Sequence, residues 1–182
     1  AERVPPRARV RAWPVLERNG MVMMFHHGED APPSWEPPVL DELTSDEWSE
    51  PQRRTWTIRT HNQEMAENAV DAAHFRYVHG TLTVPETVAE MDGPMLRVHS
   101  KMKLGTPAGE VDGSIESRSL GFGFAWVRFN GIVETLAITS VTPVEGEHVD
   151  VRFSFMVKKL GSRSATAGVG AALIADIEKQ MR

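Results

Sequence analysis

Residues 53–80 read RRTWTIRTHNQEMAENAVDAAHFRYVHG, and the periodicity changes inside them. Residues 53–63 alternate and are rich in Thr, Trp and Ile, the pattern of a strand. Residues 64–73 are rich in Ala, Glu and Met and predict a helix, whose exit at 74–80 is closed by Gly80. Downstream, residues 96–104, 110–119, 122–130, 132–142 and 148–159 predict a run of antiparallel strands with Gly, Pro and Asn at the turns. Residues 165–182 predict a terminal helix with apolar positions at Val169, Leu173, Ile174 and Ile177. Strand, helix, several strands and long helix define an α+β domain, a curved antiparallel sheet wrapped on a helix.

Upstream of residue 53 the composition differs. Eight of the 12 prolines lie in the first 51 residues, and four of the five tryptophans in the first 56, which marks off a separate segment. Two short apolar pieces, 10–16 and 20–25, flank Arg18-Asn19-Gly20. Asn-Gly accepts the positive φ of a type I′ turn, so a hairpin is expected there. APPSWEPP at 31–38 cannot pair as a central strand and reads as an extended connector. The expected organisation is therefore a hairpin segment at 1–30, a Pro-rich linker at 31–51 and an α+β domain at 52–182.

Composition excludes several classes. The chain has 182 residues, 20 Lys+Arg against 25 Asp+Glu, and a net charge of −5. That balance lacks the broad basic surface of a nucleic-acid binder. There are no cysteines, so these residues form neither a disulfide nor a thiolate-ligated zinc or iron–sulfur site. No apolar run approaches the roughly 18 residues of a membrane span, and the basic start lacks the apolar core of a signal peptide. These features read as a soluble, cytoplasmic protein. The first residue is not Met, which suits a fragment.

Chemistry-bearing residues concentrate at 62–80. On one regular helix Asn68, Asp71 and His74, each three apart, would share a face. His79 follows His74 by five, which is not the i, i+4 spacing of two ligands on one helix, so the helix must end or distort between them. Two converging imidazoles, with the Asp71 carboxylate as acceptor for an imidazole N–H, can build a metal site. Imidazoles with a carboxylate and open positions suit non-heme Fe(II), and the same set can hold zinc. His26, His27, His61, His99 and His148 read as strand or solvent partners rather than ligands.

The pattern N-x-x-D-x-x-H-x-x-x-x-H, here Asn68, Asp71, His74 and His79, resembles the iron-binding signature of the oxygenase component of Rieske non-heme iron oxygenases. ENAVDAAHFRYVHG at 67–80 is similar to one branch, the 3-ketosteroid 9α-hydroxylase oxygenases and cholesterol desaturases. VPPRARVRAWPVLERNG at 4–20, followed by an apolar strand and APPSWEPP at 31–38, resembles the end of that branch's Rieske domain and its linker. The resemblance covers nearly the whole chain.

It implies a helix-grip (START-like) catalytic domain with His74 and His79 ligating a mononuclear Fe(II). Asp71 would be a carboxylate linking a ligating His to a Rieske-cluster His of the neighbouring subunit in a homotrimer. Asn68 would lie beside the iron and position a water or ligand. The protein would use O2 and electrons from a ferredoxin or flavin reductase to hydroxylate or desaturate a steroid-like or polycyclic substrate. Phe122, Phe124, Trp126, Phe129, Ile132 and Leu136 are candidate lining residues of an apolar pocket. The family's [2Fe-2S] Rieske cluster needs two Cys and two His, so it would lie outside these residues. The family's third iron ligand is an Asp on the long C-terminal helix. Asp176 is the only Asp on that helix here, and the expected ligand falls beyond Arg182. Without the cluster and that ligand, the chain as written would be inactive.

A rival reading from another class is a non-enzymatic carrier that encloses an apolar, sterol-like ligand in the same architecture. A zinc hydrolase is a third reading, but no H-E-x-x-H or similar signature supports it.

Overall fold

The computed structural model describes residues 8, 10–106 and 109–180, with only the backbone of Thr106, Asp176 and Gln180. Residues 4–7 and 9 of the N-terminal motif, and residues 181–182 of the expected terminal helix, lie outside the described residues. The chain divides into two compact units at Leu40/Asp41.

The first unit is built on the expected hairpin. Strand β1 (Val15–Arg18) pairs with β2 (Met21–Met24) across Asn19 and Gly20, whose φ values are 56° and 68°. Both are positive, as a type I′ turn requires. The strands are shorter than the apolar pieces. Pro14 has no N–H to extend the ladder, although its carbonyl accepts from the Phe25 N–H at 2.9 Å. The Pro-rich connector has no ladder of its own, so side chains hold it. Asn19 donates to the Pro38 carbonyl at 2.9 Å and accepts from the Leu40 N–H at 3.0 Å, while Arg18 donates to the Pro37 carbonyl at 2.5 Å.

Among the described residues the second unit is a seven-stranded antiparallel sheet with three α-helices and a short 3-10 helix at Asp41–Leu43. Its strands are β3 (Gln52–Ile58), β4 (Glu86–Asp92), β5 (Met95–Thr106), β6 (Gly109–Leu120), β7 (Phe124–Asn130), β8 (Thr135–Glu145) and β9 (His148–Val157), in the order β3-β9-β8-β7-β6-β5-β4. The helices are α1 (Asn62–Glu67), α2 (Ala72–Tyr77) and α3 (Arg163–Gln180). Residues 41–51 belong to this unit: the Ser49 N–H donates to the Val157 carbonyl at 2.8 Å, and Trp48 bridges Lys158. No helix among the described residues is long and apolar enough to cross a membrane.

Three expectations are corrected. The strand expected at 53–63 stops at Ile58, because the Thr60 N–H turns back onto the Ile58 carbonyl at 3.1 Å and Asn62 opens α1. The single helix expected at 64–73 is two short helices broken at 68–71. Strand β4 was not foreseen, being acidic and short of apolar residues, although Asp92-Gly93 at its end is a hairpin signal, with Gly93 at φ 56°.

Register sets which side chains share a face. Ala137, Phe155 and Val157 face α3 and pack with its Ile174, and Val169, Leu173 and Ile177 join them, as the period of that helix predicts. Val141, Val149 and Val151 lie on the same face and pack with Trp56, Ile58 and Met65, the last from α1. α3 starts cleanly because the Ser162 hydroxyl accepts from the Ala165 N–H at 3.1 Å.

On the opposite face Trp126 pairs in register with Ile138, and Leu136 with Met156. Trp126 is 2% exposed and Leu136 0%. Beside them, Glu42 and Arg128 form an ion pair at 2.5 Å. Burial pushes the Glu42 carboxyl up, but the hydrogen bond and charge of Arg128 outweigh it, and the net pKa falls below the ordinary 4.5. A carboxyl lowered on folding stabilises the fold above that value and loses its contribution as the pH drops below it. Glu42→Gln should therefore flatten the fall of melting temperature between about pH 5 and pH 3. An unchanged acid limb would show that the pair contributes nothing measurable.

Candidate metal centre

The break at 68–71 positions the site. Each residue from 64 to 73 tolerates a helix, but Asp favours a cap over a helix interior because its side chain competes for backbone N–H groups. Asp71 sits in an extended conformation, and its Oδ1 accepts from the N–H groups of Ala73 and His74 at 2.9 and 3.3 Å. It is thus the N-cap of α2. Asn68 is the C-cap of α1, exposed to solvent, with its N–H on the Glu64 carbonyl at 3.3 Å. Asn68, Asp71 and His74 therefore do not share one helix face.

His74 lies in the middle of α2 and is half-buried. Its Nδ1 contacts the Asp71 carbonyl oxygen. A carbonyl only accepts, so Nδ1 carries the proton, which leaves the Nε2 lone pair open. The acceptor is the main chain of Asp71, not the carboxylate expected from the sequence.

His79 is brought back by the way α2 ends. On a regular helix, residues five apart point about 140° from each other. Here the His74 carbonyl accepts from the Val78 N–H at 2.7 Å and also from the His79 N–H at 3.3 Å. The second bond spans five residues, a π-type turn of the kind that closes helix C-termini. The wider turn returns residue 79 to the side of residue 74. The chain then leaves through Gly80 at φ 67°, a left-handed conformation suited to glycine. Arg76 fastens the exit by donating to the Thr81 carbonyl at 2.7 Å.

The two imidazole centroids end 5.0 Å apart with planes at 69°. Two imidazoles bound side by side to one ion through nitrogens about 2.1 Å from it have centroids near that separation. That separation is compatible with two ligands of one divalent ion. Among the described residues no group of three or more His, Cys, Asp or Glu is placed to hold a metal. The Asp176 side chain lies outside the described residues. Sequence reasoning missed Phe75 and Arg76, since nothing in their types marks them as parts of a site.

The expected pocket lining is corrected. Phe122 and Ile132 lie in turns, 61% and 63% exposed. Phe124, Trp126 and Leu136 are buried on the face away from α1 and α3, and Phe129 packs into the cluster under α3. An open groove on β4–β6 is lined by Val88, Glu90, Arg97, His99, Glu116 and Arg118, too charged to suit an apolar ligand.

An antiparallel sheet followed by a long C-terminal helix defines a helix-grip-like α+β domain. The chain belongs to the family described as the 3-ketosteroid 9α-hydroxylase C-terminal domain, whose model matches residues 24–182. It is 30% identical over 188 residues to the oxygenase component of a 3-ketosteroid-9-alpha-monooxygenase from Rhodococcus rhodochrous, a match covering 94% of this chain and 48% of that one. It is 28% identical over 173 residues to a cholesterol 7-desaturase of Xenopus laevis, covering 80% of this chain and 38% of that one. The chain thus spans about half the length, or less, of these relatives. Dicamba monooxygenase bound to 3,6-dichlorosalicylic acid shares the fold with a TM-score of 0.75 at 16% identity, over 94% of this chain and 58% of that one. A START superfamily protein from Mycobacterium smegmatis does so with a TM-score of 0.54 at 9% identity, over 71% of this chain and 92% of that one.

Proposed function

We propose that residues 52–182 are the mononuclear iron domain of a Rieske-type oxygenase that hydroxylates or desaturates a steroid-like substrate with O2. Residues 1–30 would close its Rieske domain and 31–51 would lead from it, the stretch from Asp41 on already packed into the iron domain. The observation that carries the reading is the His74–His79 pair, 5.0 Å apart, with one ring already fixed in the tautomer a metal needs. The family membership and the names of the relatives support the substrate class.

His74 and His79 would hold Fe(II), and a carboxylate from the C-terminal helix would complete the set. Iron held there supplies the redox activation of O2. The chain's own part is positional. Asp71 orients His74 twice, through its carbonyl on Nδ1 and through its cap on α2. Both caps use Oδ1, so Oδ2 would be the atom that meets a Rieske-cluster histidine of a neighbouring subunit and gives electrons a short path. Asn68, at the end of α1, would hold a water or ligand near the ion. A reductase and a [2Fe-2S] cluster outside these residues would supply the electrons, in a cytoplasmic homotrimer.

The test is Asp71→Asn in the oxygenase holoenzyme. Asn caps a helix as well as Asp, so α2 and His74 stay in place. Removal of the charge should leave iron content unchanged and stop turnover of a 3-ketosteroid. Full turnover in that variant would remove the bridging role.

A further inference from the structure

We propose that Phe75 is a positioning residue of the metal site, whose ring forms a flat wall along both imidazoles and fixes their separation. This rests on the iron-site reading above. The Phe75 centroid lies 4.1 Å from that of His74 with planes at 36°, and 5.5 Å from that of His79 with planes at 35°. Successive residues on a helix diverge by about 100°. A separation of 4.1 Å between residues 74 and 75 therefore requires both side chains to turn toward each other. The two imidazoles are 5.0 Å apart, so the three rings close a triangle in which each touches the other two.

The two histidines beside Phe75 are placed differently. His74 is anchored by its Nδ1 on the Asp71 carbonyl and by its place in α2. His79 follows the last turn of α2 and is exposed. Its backbone N–H bonds the His74 carbonyl, which sets its Cα. Phe75 is half-buried and lies at a similar tilt to both imidazoles. It removes rotamer freedom from the His79 ring before any ion arrives, so less ordering remains for binding to supply. A leucine would fill part of the volume without offering a plane. A tyrosine would offer the same plane.

The test is Co(II) titration of the full chain, followed by absorption, for the unaltered chain and for Phe75→Ala, Phe75→Leu, Phe75→Tyr and His74→Ala. Far-UV circular dichroism reports whether each variant keeps its fold. Phe75→Leu should weaken Co(II) by about 10–100-fold, the range for residues that orient ligands, and should alter the ligand-field bands. Phe75→Ala should weaken it at least as much, and Phe75→Tyr should restore both affinity and bands. If Phe75→Ala loses the fold, Phe75→Leu decides. If Phe75→Leu binds as the unaltered chain does, with the same bands, Phe75 does not position the pair and the proposal fails while the two-histidine site stands. If the unaltered chain binds no better than His74→Ala, the site reading fails and the proposal with it.

Discussion

Iron should leave the oxygenase holoenzyme when either His74 or His79 is replaced by alanine. His74→Ala removes an imidazole whose tautomer the fold has already set. The change spares the fold around it, because alanine is the best helix former and both Asp71 caps act on backbone N–H groups. His79 lies past the end of α2 and is exposed, so its removal opens no cavity in the core. Each change deletes a direct ligand. Affinity should fall at least as far as the roughly 10–100-fold that loss of an orienting partner costs. Mononuclear iron should be lost with the Rieske absorption intact. Iron content unchanged in both variants would end the assignment. A carrier of apolar ligands built on the same fold would keep its ligand in both.

The second large effect belongs to the sheet. Trp126→Ala should destabilise the second unit by about 3–5 kcal/mol, a drop in melting temperature of roughly 6–20 °C. Trp126 is nearly fully buried, paired in register with Ile138 and Arg118 and 5.6 Å from the Phe124 ring. Its loss empties the layer on the face away from α3. The indole Nε1 is buried with no hydrogen-bond partner among the described residues, so Trp126→Phe removes volume but no bond and should cost much less. Chemical denaturation of both variants checks the order. A loss below about 1 kcal/mol for Trp126→Ala would mean that this face collapses around the gap.

Much of this architecture is legible in the sequence because single positions carry it. Asn19-Gly20 specifies the hairpin, and the spacing of Val169, Leu173, Ile174 and Ile177 specifies the face α3 buries. The break between α1 and α2 is less legible, since residues 64–73 all tolerate a helix and Asp71, read as a cap, is what signals it. The face of Phe124, Trp126 and Leu136 is set by register, and one residue's shift in a strand exchanges the two faces. The spacing of His74 and His79 demanded a departure from regular helix but could not say which. The π-type bond from His79 to His74 supplies it. That Asp71 meets His74 through its carbonyl is also invisible to sequence, because every residue has one.

The account rests on His74 and His79 meeting one ion, each through Nε2. The imidazole nitrogen NMR spectrum of the chain, titrated with diamagnetic Zn(II), reads this directly. The Nε2 resonances of His74 and His79 should move together and saturate at one equivalent, with His26, His27, His61, His99 and His148 unmoved. Movement of one of the pair alone, or of another histidine first, would contradict it.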